Sequence, residues 1–163
     1  MKRITNTENL AWEKSDGPDD FSAERKSLTA VSDPCGLGCS LFRLSPGIRS
    51  FPAHSHFAND EAVLILEGEA TLIFDNEEYA LKKGDYFTLP AGTGKAHQIM
   101  NHTDEAVQYL CFSTMNTPDI VLYPTSNKVG IIAGRAPGGP EGEGTITEFI
   151  PRAPVDYWHG EES

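Results

Sequence analysis

The sequence predicts an all-β sandwich or barrel, and three observations lead there. Between Cys39 and Pro124, short apolar or alternating runs are cut by turn-forming clusters every several residues. No segment in that stretch keeps apolar residues at i, i+3, i+4 and i+7 over three turns, which disfavours a helical core. The chain has 163 residues, close to one domain and long enough to bury a core without disulfide staples.

The runs follow in order. Ser40–Leu44 is closed by Ser45-Pro46-Gly47. Glu61–Glu67 sets Glu61, Val63 and Ile65 on one face and turns at Gly68 into Ala70–Asp75. Asp75-Asn76-Glu77 reads as a hairpin tip facing water, with Glu78–Leu81 returning from it. Lys83-Gly84-Asp85 separates that run from Tyr86–Leu89, and Pro90-Ala91-Gly92 from His97–Asn101. Val107–Thr114 and Ile120–Tyr123 complete the set, which predicts a barrel over residues 37–124.

The flanks read differently. Residues 1–36 are polar with scattered anchors such as Leu10, Trp12 and Phe21, an arm that packs on the barrel or swaps with that of a partner. Residues 125–163 form an extension in which Ala136 to Gly144 is too rich in Gly and Pro for regular structure. Tyr157 and Trp158, adjacent aromatics in a polar tail, imply that it packs back onto the body.

Thirteen basic residues against 24 acidic ones give a net charge of -11, which repels phosphate backbones and anionic lipid. Neither nucleic acid nor membrane is an expected partner; a small molecule is. The longest aliphatic run, Ala62 to Leu66, is far short of a membrane span, and no apolar segment follows Met1 to Asn6, so a cytoplasmic protein is expected. Three cysteines, Cys35, Cys39 and Cys111, then read as reduced structural thiols, and C-x3-C is not the common zinc spacing.

His54 and His56, two apart, place both imidazoles on one face of a strand. The turn-prone pair Asn59-Asp60 brings Glu61 opposite them, where it points with Val63 and Ile65 toward the interior. A carboxylate desolvated there needs a compensating charge, and two neighbouring histidines predict a divalent cation. His97 is the fourth candidate, re-entering beside the first strand after the 90–94 loop. Three imidazoles and one carboxylate suit Fe, Mn, Ni, Co, Cu or Zn better than Ca or Mg. An octahedral ion would keep two positions open. Asn101 shares a face with His97 and Ile99, either to orient a ligand or as a turn residue; Lys95, two residues before His97, is a candidate anion hook. His102 and His159 read as hydrated.

Gly47, His54-Ser55-His56, Glu61 and Gly68, followed by Gly84, Pro90-Ala91-Gly92, His97 and Asn101, resemble the two sequence motifs of the cupin superfamily. HxH-x4-E-x6-G, G-x5-P-x-G and H-x3-N match without change; Gly47 lies one residue farther from His54, and Gly92 two residues farther from His97, than those motifs have them. The resemblance implies a double-stranded β-helix, or jelly-roll, barrel with one divalent transition metal (Fe, Mn, Ni or Zn) on His54, His56, Glu61 and His97. More narrowly, the chain looks like a group of stand-alone single-domain bacterial cupins, a likeness that names no substrate. A metal-dependent enzyme acting on a small oxygen-containing substrate, of dioxygenase or isomerase/lyase type, is the first expectation. The alternative is a non-catalytic module that binds a sugar or organic acid through an anchoring metal. A homodimer is expected, because association covers an exposed sheet edge.

Overall fold

Residues 4–18, 20–29, 36–139 and 142–161 are described by a computed structural model of the chain. Cys35 lies outside the described residues.

Among the described residues, thirteen strands and one short 3-10 turn, Thr7–Asn9, make up the regular structure. The strands are β1 (Glu13–Asp16), β2 (Ser22–Ser27), β3 (Leu37–Leu44), β4 (Ser55–His56), β5 (Glu61–Glu67), β6 (Glu69–Phe74), β7 (Glu77–Lys82), β8 (Tyr86–Leu89), β9 (His97–Met100), β10 (Val107–Thr114), β11 (Asp119–Tyr123), β12 (Lys128–Ala133) and β13 (Ile146–Pro151). One sheet runs β1-β2-β3-β10-β5-β8. Two smaller ones run β13-β12-β11-β4 and β7-β6-β9, and an antiparallel bridge between His54 and His97 joins them. The result is a nearly all-β jelly-roll of two facing layers. No helix among the described residues is long and apolar enough to cross a membrane.

The core fills the space between the layers. Leu44, Val63, Ile65, Val107 and Tyr109 from the large sheet are buried together with Leu72 and Ile99 from the other side. Directly opposed residues share a face, so the pairings Glu61 with Ser113 and Val63 with Cys111 point Glu61 inward in line with the core. The β6–β7 hairpin turns at Asp75 and Asn76, both at positive φ as a two-residue primed turn requires.

Residues 1–36 are more regular than their composition suggests. The arm supplies β1 and β2, and β2 pairs with the edge of β3. Cross-strand polar contacts hold it there: Arg43 donates two hydrogen bonds of 2.7 Å to Glu24, and the cations of Lys26 and Arg43 each lie 4.6 Å from the centroid of the Trp12 ring. Past residue 124 the sheet continues through β12 and β13. The tail does not pack back on the body: Tyr157 and Trp158 are 84% and 68% exposed and meet one another edge to face. The two rings bury part of each other, with the local turn held by Asp156.

Gly68, between β5 and β6, shows why a turn residue here must lack a side chain. Its φ is 75°, and a Cβ would lie 2.6 Å from the carbonyl oxygen of Ala106, a backbone atom with nowhere to go. Gly47 has the same φ but open space around it. Gly47→Ala is therefore expected to cost only the left-handed backbone penalty of about 1–2 kcal/mol, and Gly68→Ala roughly 1 kcal/mol or more beyond that. Thermal melts of the two variants check it: equal shifts would mean that the Ala106 contact relaxes freely.

Candidate metal centre

Burial and backbone pairing place the candidate residues. The His54 N–H donates to the His97 carbonyl at 3.1 Å and the His97 N–H to the His54 carbonyl at 2.8 Å. Residues that exchange both bonds project their side chains on the same side, and the two imidazole centroids lie 4.5 Å apart. His56, two residues on, points the same way; its ring stands 5.0 Å from that of His54. Donor atoms of His54, His56 and Glu61 all lie within 4.8 Å of one another. His97 closes the group from the other side, its Nε2 3.0 Å from Oε2 of Glu61, with His56 Nε2 3.9 Å from the same oxygen.

The outer nitrogens of two imidazoles are already engaged. Nδ1 of His54 lies 2.8 Å from the Pro52 carbonyl oxygen, which can only accept, so the proton sits on Nδ1. Nδ1 of His56 lies 2.7 Å from Oδ2 of Asp119. Both arrangements leave an Nε2 lone pair for the interior, the tautomer a metal ligand needs.

Asp119 was not among the candidates. It opens β11 and is 1% exposed. Its carboxylate accepts from the backbone N–H groups of Phe57 and Ala58 and from Nδ2 of Asn59, in addition to His56. Asn59 is itself buried and receives the Asn116 N–H at 2.7 Å. A signal for Asp119 did exist in the sequence: an acid sharing a face with Val121, as Glu61 does with Val63.

Electrostatics follow from this enclosure. Burial pushes His54 down to about 3, helped by the neighbouring His97. Burial opposes the charge on Glu61, but the His97 hydrogen bond and the surrounding imidazoles outweigh it and hold the carboxyl down to about 2. Burial also disfavours charge on His56, yet Asp119 and Glu61 raise its pKa overall. Asp119 is held below the usual carboxylate range against its own burial by His56, Asn59 and the Ala58 N–H. Glu61 and Asp119 are thus both anionic at neutral pH.

Three other groups flank the cluster. The Tyr123 ring stacks on His54 at 5.8 Å, and burial pushes its phenol up to about 12. Phe149 meets Tyr123 edge to face, and both rings crowd Gly130, where a Cβ would lie 3.1 Å from Phe149. Cys111 Sγ lies 3.9 Å from Oε1 of Glu61, and burial raises its thiol well above the ordinary range. Cys39 and Cys111 are free thiols.

The two weaker candidates are engaged elsewhere. The Asn101 amide donates to the carbonyls of Leu44 and Glu105 and accepts from Thr103, so it fastens the turn before β10. Lys95 pairs at 3.3 Å with Asp75 in the turn of the β6–β7 hairpin. His102 and His159 are exposed.

Comparison with known proteins bears on the same stretch. A cupin domain model matches residues 40–113. Over 60 residues the chain is 38% identical to quercetin 2,3-dioxygenase of Bacillus subtilis, covering 37% of this chain and 18% of that protein. The chain thus spans less than a fifth of the length of that relative. Among solved structures, a putative sugar phosphate isomerase from Acidithiobacillus ferrooxidans superposes with a TM-score of 0.78 at 24% identity, over 94% of each chain. A sugar phosphate isomerase from Silicibacter pomeroyi gives 0.71 at 24% identity, over 88% of this chain and 99% of that one. At this identity the likeness to those structures is one of fold. Motif, barrel and family model coincide on one stretch, and the chain carries a cupin domain over residues 40–113.

Proposed function

We propose that the chain is a metal-dependent enzyme that holds one divalent transition metal on His54, His56, Glu61 and His97 and acts on a small oxygen-containing organic substrate. The observation that carries this is the convergence of interior-facing imidazoles on a buried, ionised carboxylate, with donor atoms of three of the four groups within 4.8 Å of one another. The donor set fits Fe, Mn, Ni or Zn, and such an ion would supply Lewis acidity or, if redox-active, dioxygen chemistry. Glu61 supplies the charge, and the Pro52 carbonyl and Asp119 fix the ring orientations. Tyr123 walls the site beside His54.

The named activity of the B. subtilis relative, a dioxygenase, supports the oxygenase branch, whereas the isomerase names of the two structures support the isomerase/lyase branch.

Elemental analysis of untagged protein is expected to find close to one transition-metal ion per chain, lost in Glu61→Ala or His97→Ala. No metal, or unchanged content in both variants, would sink the proposal. Oxygen uptake by the loaded enzyme is then expected with one class among diketones, catechols, thiols and flavonols. Solvent-proton exchange into keto-sugars without oxygen uptake would select the isomerase branch. Ligand binding without turnover would select the non-catalytic module.

Asp119→Asn gives a finer test. The amide keeps the shape and the oxygen that serves Phe57 and Ala58, but it sets an N–H2 against Nδ1 of His56 and Nδ2 of Asn59. His56 then gains by moving its proton to Nε2, the atom needed for the metal. Metal affinity, read by chelator competition, is expected to fall roughly 10- to 100-fold. Unchanged affinity would remove Asp119 from the site.

We also propose a homodimer, supported by the exposed edge strand β13 and the exposed Val155, Tyr157 and Trp158. Light scattering is expected to give twice 17.8 kDa, and a monomeric mass would refute it.

A further inference from the structure

On the outer side of Pro52, a cleft of about 400 Å³ lies between the β1–β2 turn and the β11–β12 turn. Its size falls in the range of small-molecule sites. Phe21, Phe51 and Pro52 give it apolar walls, and Arg49, Ser126 and Lys128 bring polar groups to it.

The two cations differ in what they have left to offer. Arg49 is held in place by an ion pair with Asp20 and by stacking 4.2 Å above the Phe21 ring. Asp20 neutralises it, although its buried Nε has no hydrogen-bond partner. The Lys128 ammonium lies 5.0 Å over the Tyr123 ring and 5.7 Å over that of Phe149. It meets neither a carboxylate nor a hydrogen-bond acceptor among the described residues. Among the described residues, Lys128 is thus the lining cation without a carboxylate partner, beside apolar walls and in a chain whose net charge is -11. One such cation matches a monoanion better than a doubly charged phosphate ester.

We infer that this cleft is a second ligand site, separate from the metal centre, that binds a small organic monoanion with an apolar body, an aryl or branched aliphatic carboxylate, through Lys128 and the Phe21, Phe51 and Pro52 walls. The site does not depend on the proposed metal chemistry, because no candidate ligand lines it. It does touch the same scaffold: the Pro52 carbonyl orients His54, and the Tyr123 ring meets both Lys128 and His54.

Phenylacetate, benzyl alcohol and inorganic phosphate are suitable probes, titrated calorimetrically into the full chain. Because a carboxylate can also bind a metal, the same titrations are run on Glu61→Ala, in which the metal site is disabled. Phenylacetate is expected to bind both proteins alike, benzyl alcohol roughly tenfold more weakly, and phosphate not to compete. Lys128→Met should weaken phenylacetate roughly tenfold, and Ser126→Trp, a change at an exposed turn, should block it. Binding that disappears in Glu61→Ala but survives both cleft variants would place the carboxylate on the metal and overturn the inference. Equal binding of benzyl alcohol, displacement by phosphate, or no binding at millimolar phenylacetate would overturn it as well. So would binding that appears only in a Tyr157→Ser/Trp158→Ser variant, which would assign the cleft to the chain's own tail.

Discussion

Two backbone hydrogen bonds, exchanged between His54 and His97, hold this architecture to its candidate site. They link the β13-β12-β11-β4 sheet to the β7-β6-β9 sheet, so that a single layer faces the large sheet. The pairing that closes the layer also sets two imidazoles side by side on its inner surface. Fold closure and site assembly coincide here, because the two residues whose backbones close the seam are the ones that carry the imidazoles.

What the seam assembles would be costly without compensation. Glu61 stands on the inner face of the large sheet, and a lone carboxylate taken out of water there would neutralise. It keeps its charge because His97 touches it and His54 and His56 stand close by. Behind His56 a second carboxylate, Asp119, is satisfied by four groups, two of them backbone N–H groups. Those contacts tie the segment after β4 to the start of β11, so the hydrogen bonds that orient one imidazole also anchor a strand. The polar interior is nearly saturated: among the described residues only Arg49 Nε and Ser55 Oγ are buried without a partner.

Much of this was legible in the sequence wherever burial imposes a pattern. Tyr86–Leu89 and Val107–Thr114 were read with their bounds as they stand, and Glu61 stood out as an acid in an apolar register. The strands of the arm left no such mark, since Arg43, Glu24, Lys26 and Trp12 hold β2 and β3 together by charge and ring contacts between residues that look solvated in a linear reading. β13 is exposed throughout, so no alternation was imposed on it. Asn101 shares its parity with His97 yet closes a turn, because parity gives a face and not a position along it. The rings of Tyr157 and Trp158 pack on each other, a local solution that composition does not distinguish from docking on the body.

The division of labour along the chain bears on substrate choice. All four proposed ligands fall within residues 40–113, the stretch matched by the cupin domain model. The groups that wall His54, Tyr123 and behind it Phe149, come from β11 and β13, and Gly130 of β12 makes room for both rings. Asp119, which orients His56, also lies beyond that stretch. A likeness confined to about 60 residues can therefore speak to the kind of ion the barrel would hold while saying little about what is brought to it. If the proposed centre takes a guest, the rings beside His54 that would meet it therefore come from β11 and β13, beyond the stretch that the domain model matches.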